Sequence, residues 1–378
     1  MNFRDKLALD LGVERRYVMR QGVINSPWPG RNAMRALPWV VLSVFMLAVG
    51  GAASAQEHTI KVGIARSTSN AAELMALKHG YFKEAGIKLE WDDIDSTANV
   101  IALLAQNRYQ IVAGGISAGI FNALEKDLPI TILSDRVSTP IGHNLMLRPE
   151  LKGKVTSFKD LKGMKVASNG QGSVSTYETG KMLERDGLTL ADVDLKILPF
   201  TQMGIALKNG AVDAALLIPP FVWNLEEQGI AVPFGDVDKL VQPQPMTIAV
   251  IMANSDWVKS NPELVKGYMT AWLRGAREYC QAYHGAANRQ EIIDELVNSK
   301  TTPSRELLEK YPWPARSPNG KINIASMLDI NKWYVQNKMS TTEFPAQRVV
   351  DSSYIDYAIS KLGPFELINK DSKLPGCR

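Results

Sequence analysis

The 378-residue chain is poor in the side chains that most metal and redox chemistry uses. It has two cysteines, Cys280 and Cys377, and four histidines, His58, His79, His143 and His284. Scattered this way they give no metal-ligand spacing, and no cofactor or metal is expected. The longest apolar run, Leu37–Val49, is shorter than the roughly 20 residues a membrane span needs. An excess of one charge is also missing from most of the chain. The formal charge is +4, but residues 1–55 hold seven Lys/Arg against three acids, which leaves 36 of each sign in the remainder. Without a basic stripe, nucleic acid is not an expected partner. No Gly-Lys-Ser/Thr phosphate loop occurs, and the Gly170–Ser173 loop lacks the third glycine and the following acid of a dinucleotide fingerprint.

The N-terminus carries an address. Arg35 precedes the apolar run, and Ala53-Ser54-Ala55 closes it with small residues. A basic flank, a short apolar core and an A-x-A site describe a secretory signal. Residues 1–55 are therefore expected to be a signal peptide with an extended N-region, cleaved after Ala55. A start at Met34 would make that signal 22 residues long. No cysteine follows the cleavage site to carry a lipid, so a periplasmic, monomeric protein is expected. In an oxidising compartment Cys280 and Cys377 either bridge or stay separate; their spacing does not decide between the two.

Beyond residue 58 short apolar strands alternate with helices, beginning with the strand Thr59–Ala65 and a helix at Asn70–Lys78. This rhythm predicts parallel α/β sheet. It runs twice, and the halves resemble each other: AQNRYQIVAGG in the first, KNGAVDAALL in the second. Asn107 and Gly210 would each end a helix in the left-handed conformation that Asn and Gly tolerate.

Four segments resemble the SsuA/TauA and NMT1/THI5-like family of periplasmic solute-binding proteins of ABC transporters. They are ELMALKHGYFKEAGIKLE (Glu73–Glu90), FKDLKGMKVASNGQGSVSTY (Phe158–Tyr177), ALKNGAVDAALLIPPFVW (Ala206–Trp223) and VVDSSYIDYAISKLG (Val349–Gly363). The resemblance implies a type II binding-protein fold, with two doubly wound α/β lobes joined by two hinge strands. The hinge passages are expected at His143–Arg148 and Thr247–Met252. One lobe would comprise 59–144 plus 246–378, the other 145–245. Implied partners are a small-molecule solute and the membrane permease subunits. The chain departs from the family pattern at Gln110, where Asp is usual and which Asp213 matches in the second half, and at Pro219-Pro220, where an acidic or polar residue usually precedes the Pro.

Ligands of such sheets bind at strand carboxyl ends beside helix N-termini. Four loops have that position, and they supply the candidate binding residues: Ser67, Thr68, Ser69 and Asn70; Gly115 and Ser117; Gly170, Gly172 and Ser173; Pro220 and Phe221. Arg136 is added because it follows a strand and can pair with an anion. Small residues and hydroxyls at helix starts favour an anionic or polar group, although Ser69, Ser117 and Ser173 are equally suited to capping their helices. An aromatic wall from Phe221 or Trp223 would cover an apolar part of the solute, a role to set beside ordinary core packing. The expected solute is a sulfonate, nitrate, aromatic acid or pyrimidine-like molecule, and no catalysis is expected. The rival is a serine hydrolase, since Gly115–Gly119 reads G-x-S-x-G between a strand and a helix. Its late histidine would have to be His284.

Overall fold

The computed structural model describes residues 57–302 and 304–378. The expected signal segment, its cleavage point after Ala55 and the start at Met34 lie outside the described residues. Among those described, no helix is long and apolar enough to cross a membrane.

Among the described residues, ten strands form two five-stranded sheets. They are β1 (His58–Ala65), β2 (Ile87–Ile94), β3 (Ile111–Gly115), β4 (Ile130–Ser138), β5 (Asn144–Leu147), β6 (Lys165–Ser168), β7 (Asp194–Ile197), β8 (Ala214–Leu217), β9 (Val232–Asp236) and β10 (Thr247–Asn254). The first sheet has the order β2-β1-β3-β10-β4 and the second β7-β6-β8-β5-β9. In each, four strands run in one direction and a fifth, β10 or β5, is inserted antiparallel between two of them.

That insertion corrects one expectation: the sheets are mixed rather than purely parallel. The passages expected as hinge strands are β5 and β10, each seated inside a sheet. The chain crosses between sheets just before each of them, through 139–143 and 237–246. All eight residues of β10 are buried. A strand with partners on both edges and helices on both faces needs such a continuous apolar run.

The two halves repeat in detail. In the first, Gln110 Oε1 accepts the Lys61 N–H (2.9 Å) and the Gln110 N–H donates to Lys61 O (3.0 Å). In the second, Asp213 Oδ2 accepts the Lys165 N–H (3.0 Å) and the Asp213 N–H donates to Lys165 O (2.8 Å). Gln110 thus does in one sheet what Asp213 does in the other, and its departure from the family pattern leaves the junction intact. Asn107 (φ 56°) and Gly210 (φ 68°) both adopt the left-handed turn the sequence predicts.

The longest helix, Pro262–Tyr283, starts as expected with proline in its first turn. Val265, Tyr268, Met269, Trp272, Ala276, Tyr279, Cys280 and Tyr283 recur at three- and four-residue spacing, and all are buried. This stripe packs on the helix Ala71–Lys78, which follows β1. A second seam joins the halves: Tyr177 Oη donates to Asp329 (2.7 Å) and Trp333 Nε1 to Glu184 (2.6 Å). One apolar cluster runs from Val112 and Val250 of the first sheet to Val166 and Leu216 of the second.

Candidate functional site

The carboxyl ends of the parallel strands in both sheets meet around one cavity. Its volume is about 70 Å³, room for about five water-sized groups. The loop after β1 contributes Ser67 and Ser69, that after β2 Ser96 and Thr97, the end of β3 Gly114 and Gly115, and the loop beyond it Ser117. From the second sheet come Asn169 and Ser173 after β6, Phe200 opening the helix after β7, and Ile218 and Pro219 after β8. Arg136 of β4, His143 of the crossing and Ile248 of β10 complete the wall with Pro314.

Of the twelve residues expected from the sequence, Ser67, Ser69, Gly115, Ser117, Arg136 and Ser173 line the cavity. Thr68, Asn70, Gly170, Gly172, Pro220 and Phe221 stand outside that lining. Asn70 is one layer behind it, holding Arg136. Phe221 packs on Phe200 with ring centroids 5.9 Å apart, so Phe200 presents the aromatic face. Trp223 is buried and stacks on Tyr311. Ser96, Thr97, His143 and Asn169 were missed.

The glycines of the second-sheet loop make the seam between the sheets. The Ala118 N–H donates to Gly172 O (2.8 Å), and Ser117 and Ser173 pair as an isolated β-bridge. A Cβ on Gly170 would stand 2.6 Å from Ser96 Oγ, and Gly172 has φ +65°. The backbone passes where no other residue type fits without strain.

Two of the candidate hydroxyls are engaged as caps. Ser67 Oγ accepts the Ser69 N–H and Ser173 Oγ accepts the Thr176 N–H, each at 3.3 Å. Ser117 holds the capping position of helix Ala118–Glu125 but makes no capping bond. Its Oγ, Thr97 Oγ1 and Asn169 Oδ1 are buried without a protein partner. Buried polar atoms are rarely left so, and three of them share this one cavity.

Arg136 is 2% exposed and Glu73 fully buried. The guanidinium donates from Nε to Glu73 Oε1 (2.7 Å) and from Nη2 to Asn70 Oδ1 (2.8 Å). Glu73 Oε1 also accepts from Trp272 Nε1 (3.2 Å). Arg136 Nη1 makes no hydrogen bond among the described residues. His143 Nδ1 lies 2.9 Å from Glu178 Oε1, and Glu178 is also fully buried. Arg136 and His143 are the only titratable residues lining the cavity, and no carboxylate does so. Each buried acid stands behind its basic partner, and Arg136 Nη1 is left to donate to the cavity.

Behind Arg136, Asp135 accepts from Ser138 Oγ (2.6 Å) and the Ser317 N–H (3.2 Å). Burial pushes its carboxyl up to about 6. The folded state therefore holds this proton more tightly than the unfolded chain does. The resulting destabilisation sets in as pH rises from about 4 to 6, and reaches about 3 kcal/mol above that at 1.36 kcal/mol per pK unit. Asp135→Asn should gain about 3 kcal/mol relative to the parent between pH 4 and 7. Urea unfolding at both pH values tests this, and a pH-independent difference refutes it.

Ser117 has no hydrogen bond to any histidine, and His284 is held by Ser372 Oγ (2.7 Å) and Gly376 O (3.1 Å) away from the cavity. A hydroxyl without a base is not an activated nucleophile, and the hydrolase reading finds no support.

The family model described as NMT1/THI5 like matches residues 67–283, more than half of the chain. The chain belongs to the NMT1/THI5-like family. The match starts at Ser67, the first hydroxyl of the cavity, and takes in the loops of both sheets. The NMT1/THI5-like chain has relatives among periplasmic binding proteins. It is 24% identical over 253 residues to the taurine-binding periplasmic protein of Escherichia coli K12, covering 67% of this chain and 77% of that one. Its fold is that of the alkanesulfonate-binding protein SsuA from Xanthomonas axonopodis pv. citri bound to MOPS (TM-score 0.64, 15% identity, 78% of this chain, 98% of that one). The desulfurization enzyme DSZB is also similar (TM-score 0.58, 13% identity, 80% and 100% covered). The fold thus hosts both binding and catalysis, and the assignment rests on the family and the site.

Proposed function

We propose that this NMT1/THI5-like protein captures a small solute bearing a compact anionic head, of the sulfonate or nitrate class, and delivers it without chemical change. The observation that carries this reading is a cavity whose titratable lining, among the described residues, is Arg136 and His143 alone, with the unpartnered hydroxyls of Ser117 and Thr97 beside them. Arg136 Nη1 and the Ser117 and Thr97 hydroxyls would donate to the head group, and Phe200, Ile218 and Ile248 would cover its apolar part. The named relatives, which include binding proteins for taurine and an alkanesulfonate, support the same class.

The lobes of this mechanism are 59–144 with 246–378, and 145–245. A solute held by the β1 and β3 loops draws the β6 loop onto it, and the crossings 139–143 and 237–246 take up the rotation. Only a solute that touches both lobes favours the closed form. The protein works as an exported periplasmic monomer, and the closed form docks on the permease subunits of an ABC importer.

A thermal-shift screen of the mature protein tests this. Taurine, short alkanesulfonates and nitrate are compared with matched amines and neutral analogues. A ligand at a hundred times its Kd raises stability by about 2.7 kcal/mol. The anions should shift the melting temperature and the amines should not; a response to amines alone overturns the reading. For the solute that binds, Thr97→Val and Ser117→Ala should each weaken affinity about tenfold while leaving the unliganded protein as stable as before or more so. Each removes a buried polar atom that only the ligand satisfies. Titration calorimetry reads the first effect and thermal denaturation the second. Neither parent nor variant should hydrolyse a chromogenic ester.

A further inference from the structure

The two cysteines, 97 positions apart in the chain, meet in the fold. Cys280 is fully buried on the last turn of helix Pro262–Tyr283, and Cys377 is 1% exposed. Both are free thiols in one apolar cluster with Tyr279, Tyr283 and Ala315, and His284, one turn past Cys280, has its Nε2 3.1 Å from the carbonyl oxygen of Gly376, next to Cys377. The final segment is otherwise a solvated strap: of residues 371–378 only Cys377 is buried. Two successive left-handed residues, Gly376 (φ +83°) and Cys377 (φ +55°), turn it inward. Bonds to the helix end hold the segment ahead of that point. Tyr283 Oη donates to Pro375 O (2.6 Å), and Asn369 Nδ2 donates to His284 O (2.8 Å).

We propose that Cys280 and Cys377 form an intrachain disulfide when the protein meets an oxidising thiol–disulfide couple, and that this bond fastens the strap against the crossing between the two sheets. The second part rests on packing. A Cβ on Gly376 would stand 2.4 Å from Ala315 Cβ and 3.1 Å from Pro140 Cδ. Ala315 in turn donates to Pro140 O (2.7 Å) and accepts from the Ser138 N–H (3.2 Å). Pro314, beside it, lines the cavity.

The exchange is a two-step transfer. Burial pushes the Cys280 thiol well up, so the strap must first lift and expose Cys377. The Cys377 thiolate then attacks an external disulfide such as glutathione disulfide, forming a mixed disulfide and releasing one thiol. As the strap closes, the Cys280 sulfur attacks the Cys377 sulfur and expels the second thiol. Two protons leave the protein, its two sulfurs are oxidised, and the external disulfide is reduced to two thiols. A partner thiolate displaces the bound glutathione only if it can reach it, which the fold arranges.

The test takes the full mature protein, fully reduced, then incubated with glutathione disulfide and unfolded in guanidinium with excess iodoacetamide. Intact mass should fall by two hydrogens, with no carbamidomethyl and no glutathione retained, and the melting temperature should rise by several degrees over the reduced form. Closing a loop of this length constrains the unfolded chain strongly. Two carbamidomethyl groups, or a persistent glutathione adduct, overturn the proposal. So does a bridged protein whose melting temperature is unchanged or lower. Cys377→Ser, a change in the strap that leaves the helix intact, should show no oxidant-dependent shift; a shift of parental size in this variant also overturns it.

Discussion

Replacing Arg136 with methionine is expected to cost about 3–5 kcal/mol of folding stability, the usual loss when one partner of a buried ion pair is removed. Glu73 is fully buried, and its only other donor in the fold is Trp272 Nε1. The carboxylate left behind has no water to turn to. Adding Glu73→Gln should recover most of the loss, because the amide oxygen still accepts from Trp272 and no charge remains. Solute affinity should stay lost in both proteins, since the donor that faces the cavity is gone. Urea unfolding and calorimetry together separate the two roles of the arginine. A double variant that binds an anionic solute at parental strength would show that the cavity's charge selectivity lies elsewhere.

The second large effect is expected at Gly275. In the middle of a helix, alanine is ordinarily the better residue by about 1 kcal/mol. Here its Cβ would stand 2.1 Å from the carbonyl oxygen of Ala72 and 3.1 Å from the Ala76 nitrogen. The obstacle is the backbone of helix Ala71–Lys78, and no rotamer change relieves it. Gly275→Ala should therefore cost about 3 kcal/mol, the upper part of the overpacking range. The displaced helix carries Glu73 and is preceded by Asn70, so the setting of Arg136 is disturbed too and affinity should fall with stability. Gly267→Ala, in the same helix, is the control. Its Cβ would meet the Ala85 Cβ at 3.1 Å, with Ile87 Cδ1 and the Ala85 carbonyl oxygen at ordinary contact distances of 3.7 and 3.8 Å, and a change within about 1 kcal/mol is expected. Equal melting temperatures for the two variants would contradict the packing argument.

Much of this was legible in the sequence because it is local. The alternation of strand and helix, the left-handed stops at Asn107 and Gly210, and the loops after β1, β3 and β6 each depend on a few adjacent residues. The rule that brought Ser67 and Ser117 into view applies equally to Ser96 and Thr97 after β2, where the signal was present and unused. His143 with Glu178, and Arg136 with Glu73 and Asn70, join residues 35 to 66 positions apart, and no periodicity carries that information. Pro314 reaches the cavity from a stretch without regular structure. The mixed character of the sheets was hidden for a related reason. A buried apolar run such as β10 reads the same in either direction, and only its partners fix its sense.

The inserted strands also set an order of assembly. Everything in the second sheet lies between Asn144 and Asp236, so that sheet has all its strands once this stretch has left the ribosome. The first sheet does not. β4 pairs with no strand but β10, and β10 is made more than a hundred residues later. Until then β3 and β4 keep open edges of the kind that recruit other chains, and the slow, long-range closure of that gap should govern how much of the newly made protein escapes aggregation.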